Sequence, residues 1–85
     1  MSPTFITKMD LRGLEPPEPM TRVIEALGTT PAGIILEARL ERRPMFLLEE
    51  LNRRGQKYSC MPADDGSWLI SIPIAEPITT GSNEP

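Results

Sequence analysis

The stretch DLRGLEPPEP, residues 10–19, decides how this chain folds, because it holds the signals that end a strand and begin a helix. Gly13 permits the left-handed backbone of a tight turn. Prolines suit a helix start, where the N–H that they lack would be unpaired in any case. We call these ten residues the 10–19 corner. Besides Gly13, it contains three prolines that stiffen the backbone, Pro16, Pro17 and Pro19, and two glutamates, Glu15 and Glu18.

The segments on either side of the 10–19 corner fit a strand and a helix. Residues 5–11, FITKMDL, alternate apolar and polar side chains, which predicts a strand buried on the face of Phe5 and Leu11. After the corner, apolar residues recur at the i, i+3, i+4, i+7 spacing of one helical stripe. This stripe consists of Met20, Val23, Ile24 and Leu27. Gly28 is the expected C-terminal cap of the helix.

A second strand and helix follow. In GIILEARLE, residues 33–41, apolar Leu36, Ala38 and Leu40 alternate with charged residues, which predicts a strand covered on one side only. Pro44 fits the first position of the next helix, and Gly55 fits its cap. The apolar residues of this helix outnumber what a single stripe needs: Met45, Phe46, Leu47, Leu48 and Leu51. We expect Met45, like Met20, to lie in the core.

Two short strands complete the domain. KYSCM (57–61) and SWLISIPI (67–74) flank the turn cluster PADDG, which predicts a hairpin whose pairing ends by Ile72, because Pro73 lacks an N–H. The order is therefore β-α-β-α-β-β, and right-handed crossovers put both helices on one face. The expected fold is an α/β (α+β) two-layer sandwich with a mixed four-stranded sheet in the order 1-2-4-3. It occupies residues 1–75, and residues 76–85 are expected to form a disordered tail.

Composition excludes several function classes. The 85 residues contain no histidine and one cysteine, so histidine-based catalysis, cysteine-based zinc sites and internal disulfides are excluded. No apolar run approaches the length of a membrane span, and no signal peptide is visible, so we expect a cytoplasmic protein. The net charge of −3 argues against nucleic-acid binding. We expect no cofactor and no metal.

Two stretches resemble a known family. The pattern D-x-R-G-L-x-x-P-E-P after a strand resembles the signature of the bacterial TusA/SirA-like superfamily, and residues 42–60 resemble its second helix and third strand. This resemblance implies the same β-α-β-α-β-β fold. Members that carry sulfur hold it as a persulfide on a cysteine in a C-P-x-P motif. Here Pro16 stands at the cysteine position, which resembles a branch of unknown function that lacks the carrier. Relatives of that branch imply a loose link to sulfur, redox or nitrogen-oxide metabolism.

The 10–19 corner admits two interpretations. In the first it is a structural junction in which Asp10 and Arg12 pair with each other or with nearby backbone. In the second it is a docking surface for a protein partner, because rigid exposed loops are favoured recognition sites. The residues assigned to partner binding are Asp10, Arg12, Gly13, Pro16, Pro17, Glu18 and Pro19. Since prolines lack N–H donors and the glutamates are negative, an anion is not expected to bind there.

Three further groups of residues are candidates for a functional role. Cys60 is either a small buried hydrophobe or a relocated sulfur carrier or redox thiol. Asp64 and Asp65 precede a glycine, which favours a turn over a metal site. On strand parity, Met61, Ile35 and Leu69 form an apolar trio on the open sheet face, which would mark a partner or dimer surface.

The chain contains two basic doublets. Arg42–Arg43 and Arg53–Arg54 each have glutamates nearby, and we interpret both as solvated helix ends rather than phosphate patches. The sequence thus favours a non-catalytic accessory or protein-interaction module whose partner is another protein. The alternatives are a sulfur-relay or redox protein using Cys60, and an RNA-binding module, which the acidity opposes.

Overall fold

A computed structural model describes residues 5–75 of the chain. The expected tail, residues 76–85, lies outside the described residues, and the extent of the domain stays a prediction. The elements are β1 (Phe5–Asp10), α1 (Glu18–Thr29), β2 (Ile34–Leu40), α2 (Met45–Arg53), β3 (Ser59–Pro62) and β4 (Trp68–Pro73). No helix among them is long and apolar enough to cross a membrane.

The sheet has the predicted strand order, β1-β2-β4-β3. β1 runs parallel to β2, and β4 is antiparallel to both β2 and β3. Leu36 lies opposite Ile72 and Ala38 lies opposite Ile70, so these residues share one face of the sheet. The same buried cluster contains residues from both helices, which therefore pack on that face. The predicted two-layer sandwich is confirmed.

The core is assembled from the stripes that the sequence predicts. In α1, Val23 is fully buried, and Met20, Ile24 and Leu27 pack against the cluster. In α2 the buried stripe is narrower than the apolar run: Leu47, Leu48 and Leu51. The prediction that Met45 lies in the core is wrong, since Met45 is 52% exposed and its neighbour Phe46 is 79% exposed. A helix presents one face to the sheet, and both residues lie off that face.

The edge strand β1 is less buried than its alternation suggests. Phe5 is 62% exposed, which contradicts the expected burial, whereas Met9 packs against the core and Leu11, just beyond the strand, is buried. Since β1 pairs only with β2 among the described residues, the helical layer reaches the carboxyl end of β1 and leaves its amino end uncovered.

Two helix ends differ from expectation. α1 continues through Gly28, and Thr30 caps it by donating its N–H to the carbonyl oxygen of Ala26, 2.9 Å away, so Gly28 is not the cap. Pro44 precedes α2 as its N-cap residue rather than occupying the first helical position. Gly55 does end α2: it has a φ of 71°, and the next residue, Gln56, donates its N–H to the carbonyl oxygen of Leu51.

Pro73 does not end the pairing of β4. Ile74 still donates its N–H to the carbonyl oxygen of Ile34 at 2.9 Å. The backbone N–H and C=O groups of successive residues point to opposite sides of a strand. Since those of Ile74 point to β2, the backbone position of Pro73 points toward β3. Pairing with β3 stops at Ser71, so no strand of the described chain meets the position where Pro73 lacks a donor. The Gln56 side-chain amide donates to the Pro73 carbonyl oxygen instead, at 3.2 Å.

Candidate protein-interaction site

The 10–19 corner follows β1 at the carboxyl end of the strand and is largely exposed. Gly13 has a φ of 87°, which confirms the left-handed turn that the sequence predicts. Glu18 begins α1 and donates its N–H to the carbonyl oxygen of Glu15, 2.9 Å away. Glu18 uses its N–H in that bond and Pro19 has none. Of the first three residues of α1, only Met20 therefore has an N–H available at the helix end.

Asp10 and Arg12 pair with each other, as one interpretation of the sequence expected. Nε and Nη2 of Arg12 donate to the two carboxylate oxygens of Asp10 at 2.8 and 2.7 Å, a bidentate contact. The backbone N–H of Arg12 donates to the same carboxylate at 3.2 Å. These bonds lower the pKa of Asp10 to about 2, with the Arg12 side chain as the main cause. The carboxylate therefore stays charged at neutral pH and fixes the start of the corner.

The pair belongs to a larger network. Arg12 Nη1 also lies 3.3 Å from Asp65, in the turn between β3 and β4. Nη1 of Arg39, on β2, lies 3.2 Å from the same carboxylate and donates to Ser67 Oγ at 2.7 Å. Buried Ser67 donates its N–H and its hydroxyl to Asp65, and these two bonds are the main cause of the lowered pKa of Asp65. We call these five residues, Asp10, Arg12, Arg39, Asp65 and Ser67, the corner network.

The corner network brings together residues that the sequence analysis kept apart. The sequence predicts only a turn for Asp65, which it forms, and a solvent-facing position for the charged residues of β2, among them Arg39. The predicted strand order could have indicated this contact, because it puts the ends of β1 and β2 beside the turn that precedes β4. Within residues 5–75, no group of three or more potential metal ligands is assembled. Both arginines of the network are occupied by carboxylates, so the network acts as a brace rather than an anion site.

A shallow groove of about 360 Å³ begins at the corner and runs between the helices. On one side it is lined from the corner and α1 by Pro17, Met20, Thr21, Ile24 and Glu25, and on the other by Glu50 of α2 and by Arg54, just beyond the end of that helix. Met20 and Ile24 form an apolar floor, while the rim is polar. The groove extends the corner into a concave surface.

Arg53 and Arg54 behave as solvated helix-end residues. Each lies 2.7 Å from the carboxylate of Glu50, and Arg54 is the main cause of the lowered pKa of Glu50. Arg42 and Arg43 are exposed at a helix end as well, as expected, but theirs is the N-terminal end of α2. A helix dipole disfavours cations at that end, so helix stability does not account for their position.

Cys60 lies on β3 opposite Ile70, and it packs against the core together with Tyr58. Burial raises the pKa of its thiol, and the charge of Arg43 opposes the shift only in part. A thiolate is the form that attacks sulfur and binds metals, so this environment makes the thiol less reactive.

The apolar trio expected on the open sheet face is not contiguous. Met61 lies opposite Leu69 in the β3–β4 pair, but Ile35 lies toward the other end of β2. Between them, on the same face, lies the polar pair formed by Glu37 and Ser71. Because a polar row divides the apolar side chains, this face is a weaker candidate for a partner surface than the 10–19 corner.

Comparison with known proteins places the chain in two steps. The crystal structure of a SirA-like protein from Desulfitobacterium hafniense matches it with a TM-score of 0.72 and 21% identity, covering 85% of this chain and 100% of the other. This is the SirA-like class of fold that the 10–19 corner suggested. No curated protein matches the chain. The model of the uncharacterized conserved protein family DUF2249 matches residues 8–73, and the chain belongs to that family.

Proposed function

We propose that this chain is a non-catalytic accessory module that binds another protein through the 10–19 corner. The observation that carries this proposal is that the 10–19 corner combines exposed side chains with an ordered backbone. Arg12, Pro16, Pro17 and Glu18 are exposed. The corner network fixes Arg12, Gly13 forms a left-handed turn, and the N–H of Glu18 bonds to the carbonyl oxygen of Glu15. A surface ordered in advance loses less conformational entropy when a partner binds.

The chemistry of the corner favours binding over catalysis. The position at which sulfur-carrying relatives have a cysteine is Pro16, which offers neither a nucleophile nor a donor. Asp10 is held by Arg12 at a pKa of about 2, far below that of a useful general base at neutral pH. The residues of the corner thus supply shape and charge to a partner.

The adjoining groove supports the same surface. Its floor of Met20 and Ile24 offers apolar contact, and Thr21 and Glu25 offer polar contacts at its rim. Interfaces typically combine an apolar centre with a polar rim. A partner that contacts Pro16 and Pro17 would therefore extend along the groove.

Photo-crosslinking in the native cell tests this proposal. A photoreactive amino acid is placed at Pro16, and in a matched control at exposed Ala32, which lies in the connection between α1 and β2. We expect a discrete crosslinked product from position 16 and none from position 32, with the partner identified by mass spectrometry. Equal products from both positions, or none from either, would refute docking at the corner. The partner's identity then tests the link to sulfur, redox or nitrogen-oxide metabolism.

A further inference from the structure

We infer a second contact surface, formed by residues 42–46 at the start of α2, that takes an acidic and apolar segment of another protein. We call it the α2 tip, and its residues are Arg42, Arg43, Pro44, Met45 and Phe46. It accounts for two features that the core and the corner leave unexplained: the surplus of apolar residues in α2 and the position of the first arginine doublet.

The apolar part of the α2 tip is turned to solvent. Phe46 is 79% exposed and Met45 is 52% exposed, whereas Leu47 and Leu48 next to them are buried. The helix is thus fixed by its leucines, and Phe46 contributes little to the core. An exposed aromatic next to an exposed methionine is the composition that protein interfaces enrich.

The charged part of the α2 tip is positive. Within residues 5–75, neither Arg42 nor Arg43 forms a salt bridge, in contrast to Arg12, Arg39 and Arg54. The first turn of α2 contains no acidic residue, and no side chain caps it. The N-terminal end of the helix dipole therefore adds to the positive potential of the two arginines.

Arg43 lies near an aromatic side chain. Its guanidinium carbon lies 6.0 Å from the centre of the Trp68 ring, at the limit of a cation–π contact. Glu41, just before the α2 tip, lines the cavity beside Arg12, and Glu49 follows one turn later on the helix. The tip is thus a small basic and apolar surface within a chain whose net charge is −3.

Charge complementarity selects the occupant. Carboxylates next to apolar side chains would pair with Arg42 and Arg43 while an apolar side chain covers Phe46. An anionic membrane would attract the same tip, but the net charge of −3 would oppose approach of the whole molecule. We therefore assign the tip to an acidic protein segment. The α2 tip follows β2 and the 10–19 corner follows β1, and these two strands end at the same edge of the sheet. The inference nevertheless does not depend on docking at the 10–19 corner.

A displayed library of random short peptides, selected against the full chain, provides the probe. We expect the selected sequences to combine Asp or Glu with Phe, Leu or Trp. Binding of a synthetic selected peptide, measured by fluorescence anisotropy, should weaken at least about tenfold in Phe46→Ser and in the double variant Arg42→Glu/Arg43→Glu. It should also weaken as salt rises from about 50 to about 500 mM.

Matched controls separate the α2 tip from exposed residues elsewhere. Phe5→Ser removes an exposed phenylalanine from β1, and Arg53→Gln removes an exposed arginine from the other end of α2. Both should leave the Kd within about twofold, since surface changes away from a contact have small effects. Circular dichroism verifies that each variant is folded.

Four results would overturn the inference. They are selection of basic peptides, no selection at all, binding that is unaffected by Phe46→Ser, and binding that is lost equally in the Phe5→Ser control. The chain is also mixed with vesicles containing anionic phosphatidylglycerol. Binding to them that requires Phe46 would assign the tip to a membrane surface instead. Crosslinking at Pro16 is measured separately, so either proposal, docking at the 10–19 corner or peptide binding at the α2 tip, can fail without the other.

Discussion

Arg12 is the side chain that connects the 10–19 corner to the rest of the sheet. Its bidentate bond lowers the pKa of Asp10 to about 2 from an ordinary 3.8. In Arg12→Gln we expect the pKa of Asp10 to rise toward 3.8, because the main cause of its shift is removed. Because the folded pKa is the lower one, the contact contributes to stability above pH 3.8 and is lost as the pH falls toward 2. Titration of the Asp10 carboxyl carbon by NMR measures this change.

Arg22→Gln is the control for that measurement. Arg22 forms an i,i+4 pair with Glu18, 2.7 Å away, within the same region of the chain. This variant should leave the Asp10 titration unchanged. If Asp10 in Arg12→Gln titrated as it does in the unmodified chain, the assigned cause of its pKa shift would be wrong.

Gly13 and Gly28 form a second pair of residues with opposite expectations. Gly13 has a φ of 87°, and a Cβ there would meet nothing within 4 Å, so a substitution acts through backbone strain alone. Gly13→Val should lower the free energy of unfolding by about 1 kcal/mol or more. Gly28 lies within α1, with the same open space around it. Gly28→Ala should raise the free energy of unfolding by about 0.5–1 kcal/mol. Urea denaturation measures both changes, and equal signs would contradict the backbone argument.

Cys60 is the residue on which the sulfur-relay alternative depends. Burial raises the pKa of its thiol, and the residue opposite it on β4 is apolar Ile70. Incubation with a cysteine desulfurase and cysteine should therefore add no persulfide sulfur to the intact mass, since a thiol attacks slowly. A sulfur-carrying TusA protein treated in parallel is the positive control. A mass gain of one sulfur atom that is absent in Cys60→Ser would instead support the sulfur-relay alternative.

At the scale of elements, α2 separates residues that stabilise the fold from residues that are left for binding. Leu51 is fully buried and Phe46 is 79% exposed on the same helix. Leu51→Ala should lower the free energy of unfolding by about 2–5 kcal/mol, because it removes buried methyl groups and leaves a cavity. Phe46→Ser should change it by about 0.5 kcal/mol or less. A large loss of stability in Phe46→Ser would mean that Phe46 packs against the fold, and it would remove the basis of the α2 tip.

The elements themselves are largely predictable from local sequence, and each error has a specific physical cause. Alternation locates β2 and helical spacing locates the buried stripe of α1, since both patterns record which side chains are buried. A glycine near a helix end usually caps it, which predicts Gly28 as the cap, and only the hydrogen bond at Thr30 shows where α1 ends. Alternation predicts that Phe5 is buried, but it does not report how far the helical layer extends over an edge strand, and Phe5 is exposed.

At the scale of the whole molecule, the candidate site was only half predictable. Asp10 and Arg12 are two residues apart, so their pairing follows from local sequence. Asp65 reaches Arg12 across 53 positions, and this contact exists only because β4 inserts beside β2. Sequence pattern gave the strand order but not the side-chain directions at its ends, which depend on the path of each turn. A network assembled from three elements therefore required the structure.

The same assembly predicts how the molecule unfolds. Within residues 5–75, the ten buried apolar side chains form one cluster that includes β2, β4 and both helices. A domain with a single core should unfold in one cooperative transition. Far-UV circular dichroism reports the helices, and fluorescence of Trp68, the sole tryptophan, reports the start of β4. In urea both signals should give the same midpoint and slope. Separated midpoints would show that the hairpin of β3 and β4 opens without the helical layer, and the brace between Asp65 and Arg12 would then not hold the corner.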